Sequence, residues 1–345
     1  MTTAAFGQAP VGLQARLDAF AKGKPGGIAA AWVDAAGVTF FTAGKFSATD
    51  PRVITPDTQF EIGSLTKVFT ALLLAESERA GRVSRQDPAA KFLLPPGDPD
   101  RAGLASVTLL ALATHTAGLP RLPSNFSWWN AFFSSDPYAK LDRAALVDSL
   151  RQDGVHAKPT GFSYSNFGIA VLGEALGAAW DTSYAEALRA HVLAPLGLAH
   201  TTLALAGRAA PADLAPPHQG DKQVPRWTFE AYAPCGALNS SARDLAIFLQ
   251  AALGGEGAPL AAAFAATTKP QRAVPGGMIG LAWFHTRATK PPVIVWHNGG
   301  TAGSRSFLGF NRAQGVGLVL LTNHAEDRLD DLGFALLRGA AAPAQ

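Results

Sequence analysis

Ser64-Leu65-Thr66-Lys67 opens a long apolar stretch, Val68 to Ala75. On a helix of about 3.6 residues per turn, positions three apart share a face, so the Ser64 hydroxyl and the Lys67 amine can meet. A serine hydroxyl is a weak nucleophile until a base accepts its proton. A lysine on an otherwise apolar helix can be that base, because desolvation favours its neutral form. The bland alternative is an ordinary helix N-terminus that Ser64 caps while Lys67 reaches solvent. A second pattern, Tyr164-Ser165-Asn166, weighs against it. Tyrosine can pass a proton, and asparagine offers an amide donor to a substrate carbonyl together with an acceptor for Lys67. Serine and asparagine also favour caps, so this segment can serve as a turn before a helix near Phe167 as well. No other lysine follows a serine at the first spacing, and no other tyrosine precedes an asparagine at the second. The third pattern is His297-Asn298-Gly299-Gly300, directly after the apolar run Val293 to Trp296. A strand that ends in glycines lets its backbone N–H groups come close to a ligand.

These groups are far apart in sequence, and the elements between them must bring them together. Leu13, Leu17 and Phe20 recur at helical spacing and predict a helix ending near Gly23. Ile28 to Val33 and Val38 to Ala43, split by Asp34-Ala35-Ala36-Gly37, read as a hairpin. Gly81 is the expected stop of the Ser64 helix. Further helical periods run over Ala144 to Leu150, Ile169 to Ala178 and Tyr184 to Leu193. From Ile279 onward, Gly280 to Phe284, Val293 to Trp296, Ser306 to Phe310 and Gly317 to Leu321 read as strands, and Leu329 to Leu337 as a closing helix. Pro211 to Pro225 is the expected long loop, and Gly339 to Gln345 an expected disordered end. The resulting expectation is an α+β fold. Residues 1–64 and 235–345 would form a discontinuous part with an antiparallel sheet flanked by helices. Residues 65–234 would be a mainly helical insert, with the site at the seam.

Composition narrows the function classes. A chain of 345 residues that is 48% hydrophobic can bury a large core. Its net charge is only +3 with the basic residues scattered, which argues against nucleic acid. Cys235 is the lone cysteine, so no intrachain disulfide forms. His156, His191, His200, His218, His285 and His324 show no metal-ligand spacing, and neither a metal nor another cofactor is expected. No apolar run reaches the length of a transmembrane span. Met1 to Gly7 has neither a basic start nor a continuous apolar stretch. The expectation is a cytoplasmic protein, or a periplasmic or secreted one whose signal peptide has been removed. A monomer is expected.

Together the three patterns, with the text around them, resemble the class C β-lactamases and their relatives, the DD-peptidases and family VIII carboxylesterases. Phe60 to Lys67 is similar to the nucleophile segment of that family. Leu112 to Pro120, Gly236 to Leu245 and Arg305 to Phe310 resemble later landmarks, so the likeness runs from about residue 10 to 340. The resemblance implies the same layout of sheet and helical insert. It implies a serine hydrolase in which Ser64 attacks an amide or ester carbonyl and Lys67 with Tyr164 moves the proton. The oxyanion would bond to the backbone N–H of Ser64 and, by the resemblance, to that of Gly300. Asn166 would position the substrate carbonyl, and His297, Asn298 and Gly299 would line the pocket. His115 lies in a landmark where a structural role is expected.

Two departures stand out. The family's third motif begins with lysine, whereas His297 has an ordinary pKa of about 6.5 and is mostly neutral at pH 7. Leu122 stands where class C enzymes tend to place a glutamine. Both put β-lactam turnover in doubt while leaving acylation of Ser64 in place. The readings are therefore a β-lactamase or DD-peptidase-like amide hydrolase, a carboxylesterase, and a penicillin-binding sensor that acylates without turnover. The partners would be small β-lactam, peptide or ester molecules. Phe126, Trp128, Trp129, Phe132 and Phe133 would form either a local core or an apolar wall facing the substrate.

Overall fold

The computed structural model describes residues 9–124, 126, 136–159, 161–254, 257–289, 291–326 and 328–339. Both ends of the chain contribute to one eight-stranded antiparallel sheet. The N-terminal hairpin supplies β1 (Gly27–Asp34) and β2 (Gly37–Gly44). Outside this sheet lie β3 (Gln59–Glu61), β4 (Thr202–Leu203), β5 (His218–Gln219), β6 (Lys222–Gln223) and β7 (Leu238–Ser241). The C-terminal part adds β8 (Arg272–Val274), β9 (Gly277–Ile279), β10 (Phe284–Thr286), β11 (Val295–Gly300), β12 (Arg305–Asn311) and β13 (Val316–Thr322). Their spatial order is β2-β1-β13-β12-β11-β10-β9-β8. β1 therefore pairs with β13 across almost the whole chain, with Ala31 opposite Val319. The fold is α+β, an antiparallel sheet with flanking helices.

Side chains on a strand alternate between its two faces, and here both faces are apolar. Ile28, Ala30 and Trp32 of β1 face a core shared with Leu318, Leu320 and Phe307, closed by Leu13 and Leu17 of α1 (Leu13–Ala21) and by the helix Leu329–Leu337. Ala29, Ala31 and Val33 face the larger core with Leu308, Val319 and Leu321. That second core contains α2 (Thr66–Arg79), which is buried without a break from Thr66 to Ser77. A helix buried on every side belongs in the middle of a large protein, and α2 packs there between the helices Asn166–Ala179, Ala233–Gly236 and Ala261–Thr268. Each fully buried leucine along it contributes roughly 1.5–3 kcal/mol.

The predicted first helix, N-terminal hairpin, closing helix and last two strands are where the sequence places them. Two strands are not. Gly280 to Trp283 is a turn between β9 and β10, with Ala282 at φ 60°, and only Phe284 of the predicted run is in a strand. Leu281, Ala282 and Trp283 are fully buried, so an irregular segment inside the core has the same apolar signature as a buried strand. The strand expected over Val293 to Trp296 is displaced toward the C-terminus as β11, taking in the polar and glycine residues 297–300. The expected long loop at 211–225 contains the short β5–β6 hairpin. Of the aromatic group, Phe126 is buried, while Trp128, Trp129, Phe132 and Phe133 lie outside the described residues, as do 340–345.

Candidate active site

Ser64 stands where β3 passes through one tight turn, Gly63–Leu65, into α2. β11 crosses this turn at backbone contact, and two glycines make that possible. A Cβ on Gly299 would lie 1.9 Å from the Ile62 carbonyl and 2.9 Å from the Ser64 nitrogen; one on Gly63 would lie 2.7 Å from the Gly300 nitrogen. The Ser306 hydroxyl donates to the Ile62 carbonyl at 2.7 Å and ties the turn to β12.

One turn along α2, Lys67 has its amine 2.9 Å from Ser64 Oγ and donates to the Cys235 carbonyl at 2.7 Å. The lysine is fully buried, so it does not reach solvent as the bland alternative requires. The next turn repeats the attachment, with the Thr70 hydroxyl donating to the Pro234 carbonyl at 2.8 Å. The short helix Ala233–Gly236 thus fixes the polar edge of α2 through main-chain oxygens. Burial pushes the Cys235 thiol up to about 11.

Tyr164 is held from both sides by His115. The His115 carbonyl accepts the Ser163 N–H at 2.8 Å, its ring Nδ1 accepts the Ser165 N–H at 3.1 Å, and the two rings lie 4.5 Å apart. Burial and the neighbouring Lys67 charge hold the His115 ring well below its ordinary value, so it stays neutral. Ser165 caps the helix Asn166–Ala179 by accepting the Gly168 N–H at 2.8 Å, so the segment is a cap as well as part of the site. Lys67 Nζ is 5.0 Å from the centre of the Tyr164 ring. One end of the Asn166 amide meets the Tyr138 hydroxyl at 3.0 Å, and its Oδ1 is buried without a partner. Asn166 is engaged with Tyr138 here, and Lys67 is held by Cys235.

His297 points inward from β11, with its ring 6.5 Å from that of Tyr164 and 5.4 Å from Phe284. Its Nδ1 lies 2.6 Å from the Asn298 carbonyl. A carbonyl only accepts, so the proton sits on Nδ1 and the buried, unpartnered Nε2 carries a lone pair. Burial, reinforced by the Lys67 charge, pushes His297 down to about 3, far below the ordinary 6.5. Asn298 faces the other way, as adjacent strand residues must. Its amide donates to Asp330 at 2.6 Å and lines a separate polar cleft with Arg305 and Asp331.

The cavity at Ser64 measures about 80 Å³ and is lined by Gly63, Arg121, Tyr138, Asn166, Trp227 and Gly300, among others. Sequence reasoning missed Arg121, Tyr138 and Trp227 here. It also missed Glu61, buried three residues before the nucleophile, which accepts the Trp227 N–H at 2.8 Å and the Thr301 hydroxyl at 2.9 Å. A far wider cleft of about 1110 Å³, near Phe264, Val295 and Arg312, contains none of the predicted site residues. Among the described residues no group of three or more His, Cys, Asp or Glu side chains could hold a metal, and no helix is long and apolar enough to cross a membrane.

The family profile described as Beta-lactamase matches residues 13–342. Penicillin-binding protein 4* of Bacillus subtilis (strain 168) is 30% identical over 162 residues, 46% of this chain but only 33% of that protein's length. The class C β-lactamase structure from Rhodobacter sphaeroides has a TM-score of 0.72 at 24% identity, covering 87% of this chain and 90% of that one. The D-alanine carboxypeptidase structure from Burkholderia cenocepacia has a TM-score of 0.76 at 24% identity, covering 95% and 96%. The two structural likenesses are likenesses of fold.

Proposed function

The chain belongs to the β-lactamase family, and from that premise we propose that it is a serine hydrolase that forms an acyl-enzyme on Ser64, opening amide bonds as β-lactamases or DD-peptidases do. One observation carries the reading: Lys67 Nζ lies 2.9 Å from Ser64 Oγ while the Cys235 carbonyl holds it from the other side. Held from that side by Cys235, the Lys67 amine stays within proton-transfer reach of Oγ.

In this mechanism Oγ attacks the substrate carbonyl and its proton passes to the Lys67–Tyr164 unit. The N–H groups of Ser64 and Gly300 stabilise the oxyanion, held at working distance by the glycine contact of β11 with the nucleophile turn. Collapse breaks the bond to the leaving group, which takes the proton from the same unit, and water then releases the acyl group. The unpartnered Asn166 Oδ1 is an acceptor for a substrate N–H, not a donor to its carbonyl as expected, and His297 likewise offers a buried acceptor rather than a cation.

That last feature favours a second reading, a carboxylesterase, because a neutral position 297 gives no electrostatic hold on a carboxylate. Initial rates on nitrocefin, a D-alanyl-D-alanine peptide and p-nitrophenyl butyrate separate the two. Turnover of the first two supports the amide hydrolase, and turnover of the ester alone supports the esterase. A single burst of product with no steady state would identify the sensor that acylates only. Ser64→Ala should remove labelling by a fluorescent penicillin or a fluorophosphonate. Labelling that survives in the folded variant would place the nucleophile elsewhere.

A further inference from the structure

We propose that Arg121 is the anion anchor of the acyl pocket, so that preferred substrates are amides or esters whose acyl part carries a carboxylate. The inference rests on the Ser64 acyl-enzyme reading and names its substrate class. Among the described residues lining the Ser64 cavity, Arg121 alone is charged. Among the described residues no carboxylate pairs with it. Its backbone is fixed against the site, because its carbonyl accepts the N–H groups of Asn166 at 3.0 Å and Phe167 at 3.2 Å. Its guanidinium lies 5.1 Å from the centre of the Tyr164 ring, which also faces Lys67 at 5.0 Å.

Arg121 touches both the Tyr164 ring and the Ser64 cavity, and its charge falls to the acyl part because it lines the cavity and Tyr164 does not. The leaving group must depart beside the proton donor, and Tyr164 does not line the cavity, so the cavity receives the acyl part. At about 80 Å³ it takes a short chain. An arginine fork matches a carboxylate through two parallel N–H donors, which a single ammonium does not. The buried His297 withholds a cation at the third motif, and Arg121 supplies one at the Ser64 cavity.

The test compares p-nitrophenyl hemiglutarate with p-nitrophenyl valerate, which match in length and differ in the terminal carboxylate. The ratio of their kcat/KM values is read for wild type, Arg121→Gln, Arg121→Lys and Arg121→Glu. Wild type should favour the hemiglutarate. Arg121→Gln should lower the ratio by about tenfold or more, as loss of a charge-assisted hydrogen bond implies. Arg121→Lys should retain part of the preference, and Arg121→Glu should prefer the cationic 5-aminovalerate ester. A purely structural role beneath Tyr164 would lower both rates together and leave the ratio alone, which would overturn the proposal. Fluorophosphonate labelling of Ser64 in every variant separates the two levels. Labelled enzymes with an unmoved ratio refute the Arg121 anchor alone. An unlabelled wild type refutes the acyl-enzyme reading, and the anchor with it.

Discussion

Glu61→Gln should remove a pH dependence of stability that the wild type carries through the neutral range. Glu61 ends β3 and is buried against three donors: the Trp227 N–H at 2.8 Å, the Thr301 hydroxyl at 2.9 Å and the Ser304 hydroxyl at 3.4 Å. Burial pushes its carboxyl up to about 7 from an ordinary 4.5, and the three hydrogen bonds only partly offset this. Below pH 4.5 the group is protonated in both the folded and unfolded chain, and its contribution to stability is fully present. That contribution is lost as pH rises through 7, because the unfolded chain ionises freely and the fold must bury a charge. The gap between 4.5 and about 7 corresponds to about 3 kcal/mol at 1.36 kcal/mol per pH unit. For a chain of 345 residues the unfolding entropy is about 0.7 kcal/mol/K, so the same effect is about 4 °C in Tm. Glutamine keeps an acceptor for the Trp227 N–H and can donate to the rotated Thr301 hydroxyl, so the hydrogen-bonded shape survives without the charge. Urea unfolding of both proteins at pH 5 and pH 8.5 measures the effect, and the other titrating groups cancel in the difference. The wild type should lose about 3 kcal/mol more than the variant across that interval. Superimposable pH profiles would refute the reasoning.

Four further outcomes follow from the site. Lys67→Ala and Tyr164→Phe should each slow Ser64 acylation by about 10² to 10⁴-fold, and the double variant should lose far less than the product; a fully multiplicative loss in stopped-flow acylation would assign them independent roles. His297 is held near 3, so the ratio of kcat/KM for a β-lactam carboxylate over a neutral ester should not rise as pH falls from 8 to 4.5, and a rise centred at 6.5 would show a solvated imidazole. The same depression makes His297, and likewise His285 at about 4, stabilising above pH 6.5 with the contribution lost as pH falls through the folded value, so His297→Asn should flatten the acid limb of stability measured by denaturation. Gly299→Ala puts a methyl 1.9 Å from the Ile62 carbonyl and should force β11 off the nucleophile turn, costing about 1–3 kcal/mol and slowing fluorophosphonate labelling; wild-type labelling would show that the contact is dispensable.

The chemistry of this protein was legible wherever it depends on neighbours in sequence. Ser64 and Lys67 meet because a helix brings residues three apart together, and Ser165 caps because its type and place before Phe167 demand it. The closing helix and the N-terminal hairpin announce themselves through periodicity. What holds these groups in place was not legible, because it is long-range and largely main chain. Lys67 is aimed by the carbonyl of Cys235, 168 positions away, and a carbonyl leaves no mark in a sequence. Glu61 reaches Thr301 across 240 positions, and Asn166 meets Tyr138 rather than the lysine expected for it. The side-chain direction of Asn298 was open to prediction, since strand neighbours cannot face one cavity. It was missed because the strand was expected to end before it.

The nucleophile's helix has no face turned to water, and this ties the fate of the site to the fate of the whole molecule. Partial opening of α2 would expose the larger core, so its amides belong to the slowest-exchanging unit of the protein. Inactivation should therefore have no early, local phase: acylation capacity and overall structure disappear in one step. Substitutions at the exposed rim, Arg121 among them, can then alter what is bound while the reactive pair beneath stays set.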